Sequence, residues 1–85
     1  MAPHPFNALV TGASQGLGLA LVTALLQRAH CNLVYAACRR PGEAEALGLL
    51  AREHPQRLRL LALDVTREAD FAIATDTIRR ETDRL

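Results

Sequence analysis

The chain has 85 residues, 49% of them apolar and 22% charged, with a formal net charge of +1. That length admits one small domain at most, and the apolar share argues against disorder. Near-neutral charge removes the electrostatic footprint of a nucleic-acid or acidic-membrane binder, and no apolar run approaches the roughly 20 residues of a membrane span.

The first residues, Met1 to Phe6, hold neither a basic nor an apolar segment, so no secretory signal is expected. Asn7 to Val10 is a short apolar run that stops at Thr11-Gly12, which predicts a buried strand ended by a turn. From Gly16 to about Ala29 the pattern turns helical. Leu17, Ala20, Leu21, Ala24 and Leu25 form the expected stripe, widened by Leu19, Val22 and Leu26. Asn32 to Ala37 predicts a second buried strand, broken by Arg39-Arg40-Pro41-Gly42. A second helix is expected from Glu43 to about Glu53, with Ala44, Leu47, Leu50 and Ala51 inward. A third strand runs from Leu58 to Leu63. Thr66 is the expected N-cap of a third helix with Phe71, Ala74 and Ile78 on its inner face.

The order β-α-β-α-β-α is that of an α/β fold with parallel strands and right-handed crossovers. Cys31 and Cys38 flank the second strand, on the order of 20 Å apart at strand rise, which excludes a disulfide between them. A reduced, cytoplasmic protein is therefore expected. The three histidines show no metal-ligand spacing with either cysteine, so no metal site is assigned.

The chemistry concentrates between the first strand and first helix, in Thr11-Gly12-Ala13-Ser14-Gln15-Gly16-Leu17-Gly18. Glycines at such a turn permit unusual backbone angles, let a phosphate approach the main chain and let the helix pack closely on the sheet. The helix N-terminus then presents free N–H groups to a pyrophosphate. A glycine turn serving packing alone is the bland alternative. A P-loop is excluded, because all ten basic residues are arginines and that loop needs a lysine.

These residues resemble the opening of the classical short-chain dehydrogenase/reductase family, Thr-Gly-x-x-x-Gly-x-Gly, which Thr11 to Gly18 match in full. The segments His54 to Leu58 and Leu63-Asp64-Val65-Thr66 are most similar to the C-factor-like carbonyl reductases within it. The resemblance implies the N-terminal portion of a Rossmann-type doubly wound sheet, residues 1–85 forming a partial NAD(P)-binding domain truncated before a fourth strand. It also implies that Gly12, Ser14, Gln15, Gly16, Leu17 and Gly18 line the cofactor, with Asp64 and Val65 bordering the adenine.

Cofactor choice is read at the end of the second strand, where an acidic residue selects NAD and an arginine accommodates the 2′-phosphate of NADP. Cys38, Arg39 and Arg40 stand there with no carboxylate, so NADP(H) is expected over NAD(H). The resemblance agrees: Arg39 matches the basic position of NADP-preferring members, and Ser14 a loop residue near that phosphate. Gln15 departs from the basic residue that many such members carry.

No catalytic residue is assigned. Family chemistry needs a tyrosine with a lysine four residues later, whereas here the sole tyrosine, Tyr35, is followed at that spacing by Arg39. The resemblance thus implies an oxidoreductase for carbonyl or alcohol substrates only when complete, with homo-oligomers open to the full-length form. The alternative is a non-catalytic dinucleotide-binding or interaction fragment that pairs through an open strand edge.

Overall fold

In a computed structural model, which describes residues 5–82, three parallel strands form a sheet in the order β1-β2-β3. They are β1 (Phe6–Val10), β2 (Cys31–Cys38) and β3 (Leu58–Ala62). Each is followed by a helix: α1 (Gly16–Leu26), α2 (Glu45–Glu53) and α3 (Glu68–Thr82). This is the arrangement of a partial Rossmann fold. Among the described residues no helix is long and apolar enough to cross a membrane.

Strand periodicity assigns the two faces of the sheet. Val10 of β1, Val34, Ala36 and Cys38 of β2 and Leu58 of β3 point to one face, where they pack with Val22 and Leu26 of α1 and Leu47 of α2. Ala37 points to the other, where it packs with Leu63, Leu61 and Ala74 of α3. The register Leu9↔Tyr35↔Arg59 crosses that second face, and the buried Tyr35 hydroxyl donates to Glu81 Oε2 of α3 at 2.8 Å. A register irregularity between Phe6 and Asn7 is bridged by the Asn7 side chain, whose Oδ1 accepts from Leu33 N at 3.2 Å.

Several details differ from the sequence expectation. In α1 Leu17, Ala20, Leu21 and Ala24 of the expected stripe face outward, whereas Leu25 packs inward with Leu19, Val22 and Leu26. A helix apolar on all sides carries no rotational signal in its periodicity. Its rotation is set by Gly18, which lies against the Gly12 carbonyl and turns the Gly18–Val22–Leu26 row inward. Glu43 belongs to a 3-10 turn (Pro41–Glu43), and the second helix begins at Glu45. The third strand ends at Ala62, one residue short of Leu63, although the Leu63 amide still donates to Cys38 O at 2.9 Å. Thr66 does not cap α3. Its amide and hydroxyl both donate to Asp64 Oδ1, at 3.0 and 2.6 Å, and the helix starts at Glu68. On α3, Ala74 is buried and Ile78 half-buried, whereas Phe71 stays exposed.

Candidate functional site

The loop between β1 and α1 is shaped by three glycines with two different tasks. Gly12 and Gly16 both have φ of 60°, the left-handed region that costs an L side chain about 1–2 kcal/mol. A Cβ on either would meet nothing within 4 Å, so both face open space. Gly18 is conformationally ordinary but sterically obligatory: a Cβ there would strike the Gly12 carbonyl oxygen and lie 2.8 Å from its carbon. The loop is pinned beneath by Ala13, fully buried, whose amide donates to Ala37 O at 3.1 Å.

That backbone delivers an uncapped helix end. Gln15, the residue preceding α1, is extended at φ −161° and makes no side-chain cap, and no acidic side chain lies in the first turn. The first-turn N–H groups of an α-helix have no acceptors within the helix and carry its partial positive charge. A loop open above and tight below, ending on unclaimed donors, fits a bridging phosphate.

Beside the loop, at the carboxyl end of the sheet, two cavities of about 350 and 360 Å3 share Ser14, Cys38 and Arg39 as a common wall. The first is completed by Arg40, Glu43 and Ala44. The second is completed by Gly12 and Gln15 on the loop side and by Leu63 to Thr66 on the other. Arg39 is exposed and forms no ion pair among the described residues, whereas Arg40 Nη1 lies 3.7 Å from Glu43 Oε2. The guanidinium of Arg39 is thus free at the boundary of both cavities.

Asp64 has a structural task as well as an exposed face. Its Oδ1 holds the Thr66 turn, its amide donates to Asp70 Oδ2 at 2.9 Å, and its carbonyl accepts from Arg67 N at 2.9 Å. The Thr66 bonds, chiefly the hydroxyl, hold the Asp64 carboxyl below its ordinary value, with smaller help from Arg39 and Arg67. It therefore stays ionised under ordinary conditions. Among the described residues its Oδ2 accepts no hydrogen bond and the Val65 amide has no protein acceptor. Acceptor and donor stand side by side at the mouth of the second cavity, the pattern that complements an adenine edge.

The structure thus brings Gly12, Ser14, Gln15, Arg39, Asp64 and Val65 around one pair of cavities, with Gly16 and Gly18 shaping the loop. Leu17 lines neither cavity. It is 77% exposed on the outer side of the first turn. Sequence reasoning did not single out Cys38, Glu43 and Ala44 as wall residues. The signal for Glu43 was its place three residues after Arg40 across Pro-Gly, a spacing that a 3-10 turn closes.

Tyr35 lies away from these cavities. Burial first, then its hydrogen bond to Glu81, push its hydroxyl up to about 12. A phenol sealed beneath a helix and already donating to a carboxylate is unavailable as a proton donor to substrate.

The chain matches the family model described as short chain dehydrogenase over residues 7–85. No curated protein sequence is significantly similar to it. Among solved structures, the NADPH-bound carbonyl reductase from chicken fatty liver is 34% identical, with a TM-score of 0.87 over 94% of this chain and 30% of that one. Carbonyl reductase Sniffer of D. melanogaster is 30% identical, with a TM-score of 0.84 over 93% of this chain and 32% of that one. A carbonyl reductase from Pseudomonas aeruginosa PAO1 in complex with NADP is 38% identical, with a TM-score of 0.69 over 74% of this chain and 28% of that one. The chain spans about a third of the length of these relatives.

Proposed function

The chain belongs to the short-chain dehydrogenase family, and from that premise we propose that it forms the NADP(H)-binding segment of a cytoplasmic oxidoreductase that interconverts carbonyl and alcohol groups. The observation that carries the reading is the unpaired Arg39 on the wall common to two cavities, beside an uncapped glycine-rich helix start. Two of the similar structures are carbonyl reductases holding NADPH or NADP, which supports the same cofactor here.

In this reading each residue has a defined task. Gly12 and Gly16 keep side chains out of the phosphate's path, and Gly18 brings α1 against the loop so that its N–H groups face the pyrophosphate. Arg39 pairs with the 2′-phosphate through its planar fork of donors, Ser14 offers a hydroxyl beside it, and Gln15 lines the adjoining loop wall. Asp64 Oδ2 accepts from the adenine amino group and the Val65 amide donates to the ring. Leu17 covers the outer side of the pyrophosphate turn. NADPH, when bound, supplies hydride for carbonyl reduction. The proton donor and its lysine partner belong outside the third of the relatives' length that this chain spans, since the chain has no lysine and its tyrosine is buried under α3.

The test is binding of NADPH against NADH by the purified chain, followed by fluorescence. Preference for NADPH that disappears in Arg39→Ala supports the proposal; equal affinity for the two nucleotides contradicts it.

A further inference from the structure

Arg40 and Glu43 line the same cavity as Arg39 and Ser14; Arg40 has so far counted only as a basic residue at the end of β2, and Glu43 has no task there. Their geometry sets opposite charges three residues apart across a 3-10 turn. The turn is closed by Glu43 N donating to Arg40 O at 3.0 Å and Ala44 N donating to Pro41 O at 3.2 Å, which fixes the two side chains on one side. The pair itself is loose, at 3.7 Å between Nη1 and Oε2, with the side chains 78% and 72% exposed. Exposed single-contact pairs of this kind contribute little and are readily exchanged. A 2′-phosphate entering the cavity offers a guanidinium up to two formal charges and several acceptor oxygens, against one singly charged carboxylate at long range.

We propose that Arg40 is a second, exchangeable ligand of the 2′-phosphate, and that Glu43, by competing for it, sets how strongly the chain prefers NADP to NAD. The inference rests on the reading of this cavity as the 2′-phosphate pocket. The Glu43 carboxylate offsets part of the Arg40 charge, so Arg39 is the one guanidinium of this wall with no carboxylate beside it. With the phosphate bound, Arg40 swings from carboxylate to phosphate and both arginines clamp it. The Glu43 carboxylate then opposes the phosphate across a solvent-exposed, salt-screened gap. The net preference is therefore lower than two arginines alone would give.

Two small ligands isolate the effect, because they occupy only this end of the site: adenosine 2′,5′-bisphosphate and adenosine 5′-monophosphate. Calorimetric titration of the unsubstituted chain, Glu43→Gln, Arg40→Ala and the double variant is the experiment, with far-UV circular dichroism as the folding check. Removing the Glu43 charge should tighten bisphosphate binding about 3–10-fold, more at low salt, and leave the monophosphate unchanged. Arg40→Ala should weaken the bisphosphate by a similar factor. In the Arg40→Ala background, Glu43→Gln should keep only the smaller, salt-screened gain from removing its direct repulsion of the phosphate.

A Glu43→Gln variant with unchanged or weaker bisphosphate binding overturns the proposal, as does an equal gain with and without Arg40. If Arg39→Ala removes the bisphosphate preference while Arg40 and Glu43 substitutions do nothing, the pocket reading stands and this inference fails. If the unsubstituted chain does not distinguish the two ligands, the pocket reading itself fails.

Discussion

The two ends of α1 are treated in opposite ways. At its C-terminal end the protein supplies a donor of its own: the Arg57 guanidinium donates to the carbonyl of Leu26, the last residue of α1, and beyond it to those of Arg28 at 3.1 Å and Cys31 at 2.8 Å. The same arginine ties the start of β2 to the end of α1, and its charge offsets part of the burial that raises the Cys31 thiol. At the N-terminal end there is no side-chain cap, no acidic residue and a glycine at the first helical position. One end is closed by the protein's own donors and the other is left with donors unspent. A helix end left uncapped beside a cavity is a place for an anion, whereas a clamped end is a matter of stability. The comparison separates residues whose loss should unfold the chain from those whose loss should only empty the site.

The sharpest way to break it is at the loop. Gly18→Ala forces a Cβ onto the Gly12 carbonyl, and because the obstacle is backbone the helix must move; a loss of about 3 kcal/mol is expected by urea denaturation. Gly12→Ala meets open space and carries only the left-handed penalty, about 1–2 kcal/mol. Equal effects from the two would remove the distinction between a glycine needed for space and one needed for its angle.

At the clamped end, Arg57→Ala takes a donor from three carbonyls, of which Arg28 O keeps the Cys31 amide, and should cost about 2 kcal/mol in the same assay. Nucleotide affinity of the folded fraction should not change. At the open end, Arg39→Ala should do the reverse, weakening NADPH about tenfold or more, with NADH and the urea midpoint unmoved. A variant at either end that changes both properties together would dissolve the contrast.

The smallest effect concerns the opposite face of the sheet. Tyr35→Phe removes the hydroxyl bond to Glu81 and should cost about 1 kcal/mol near neutral pH. The Tyr35 hydroxyl is raised from 10 to about 12 in the folded chain, so its contribution is intact below pH 10 and drains away as pH rises toward 12. Stability measured across that interval should fall more steeply in the unsubstituted chain than in Tyr35→Phe. Parallel curves would show that α3 is not held through this bond.

The strands and their order of appearance were legible in the sequence because each is a short apolar run closed by turn residues, as Val10-Thr11-Gly12 and Cys38 to Gly42 show. The loop was legible because glycine spacing maps directly onto backbone geometry. The rotation of α1 was not, since leucine and alanine occupy every face and only the Gly18 contact chooses among them. The Thr66 cap failed for a different reason. A threonine two residues after an aspartate can bond forward to a helix or backward to the carboxylate, and Asp64 won. Arg57 and Glu81 reach partners 26 to 46 residues away, which no local pattern encodes.

The most direct test of the central claim is a nitrogen-15 amide spectrum of the chain titrated with NADPH. The account predicts saturable shifts at the amides from Gly12 to Gly18, at Arg39 and at Val65, with the amides around Arg57 unmoved. Shifts absent from the glycine loop, or confined to α3 and the Arg57 clamp, would contradict it.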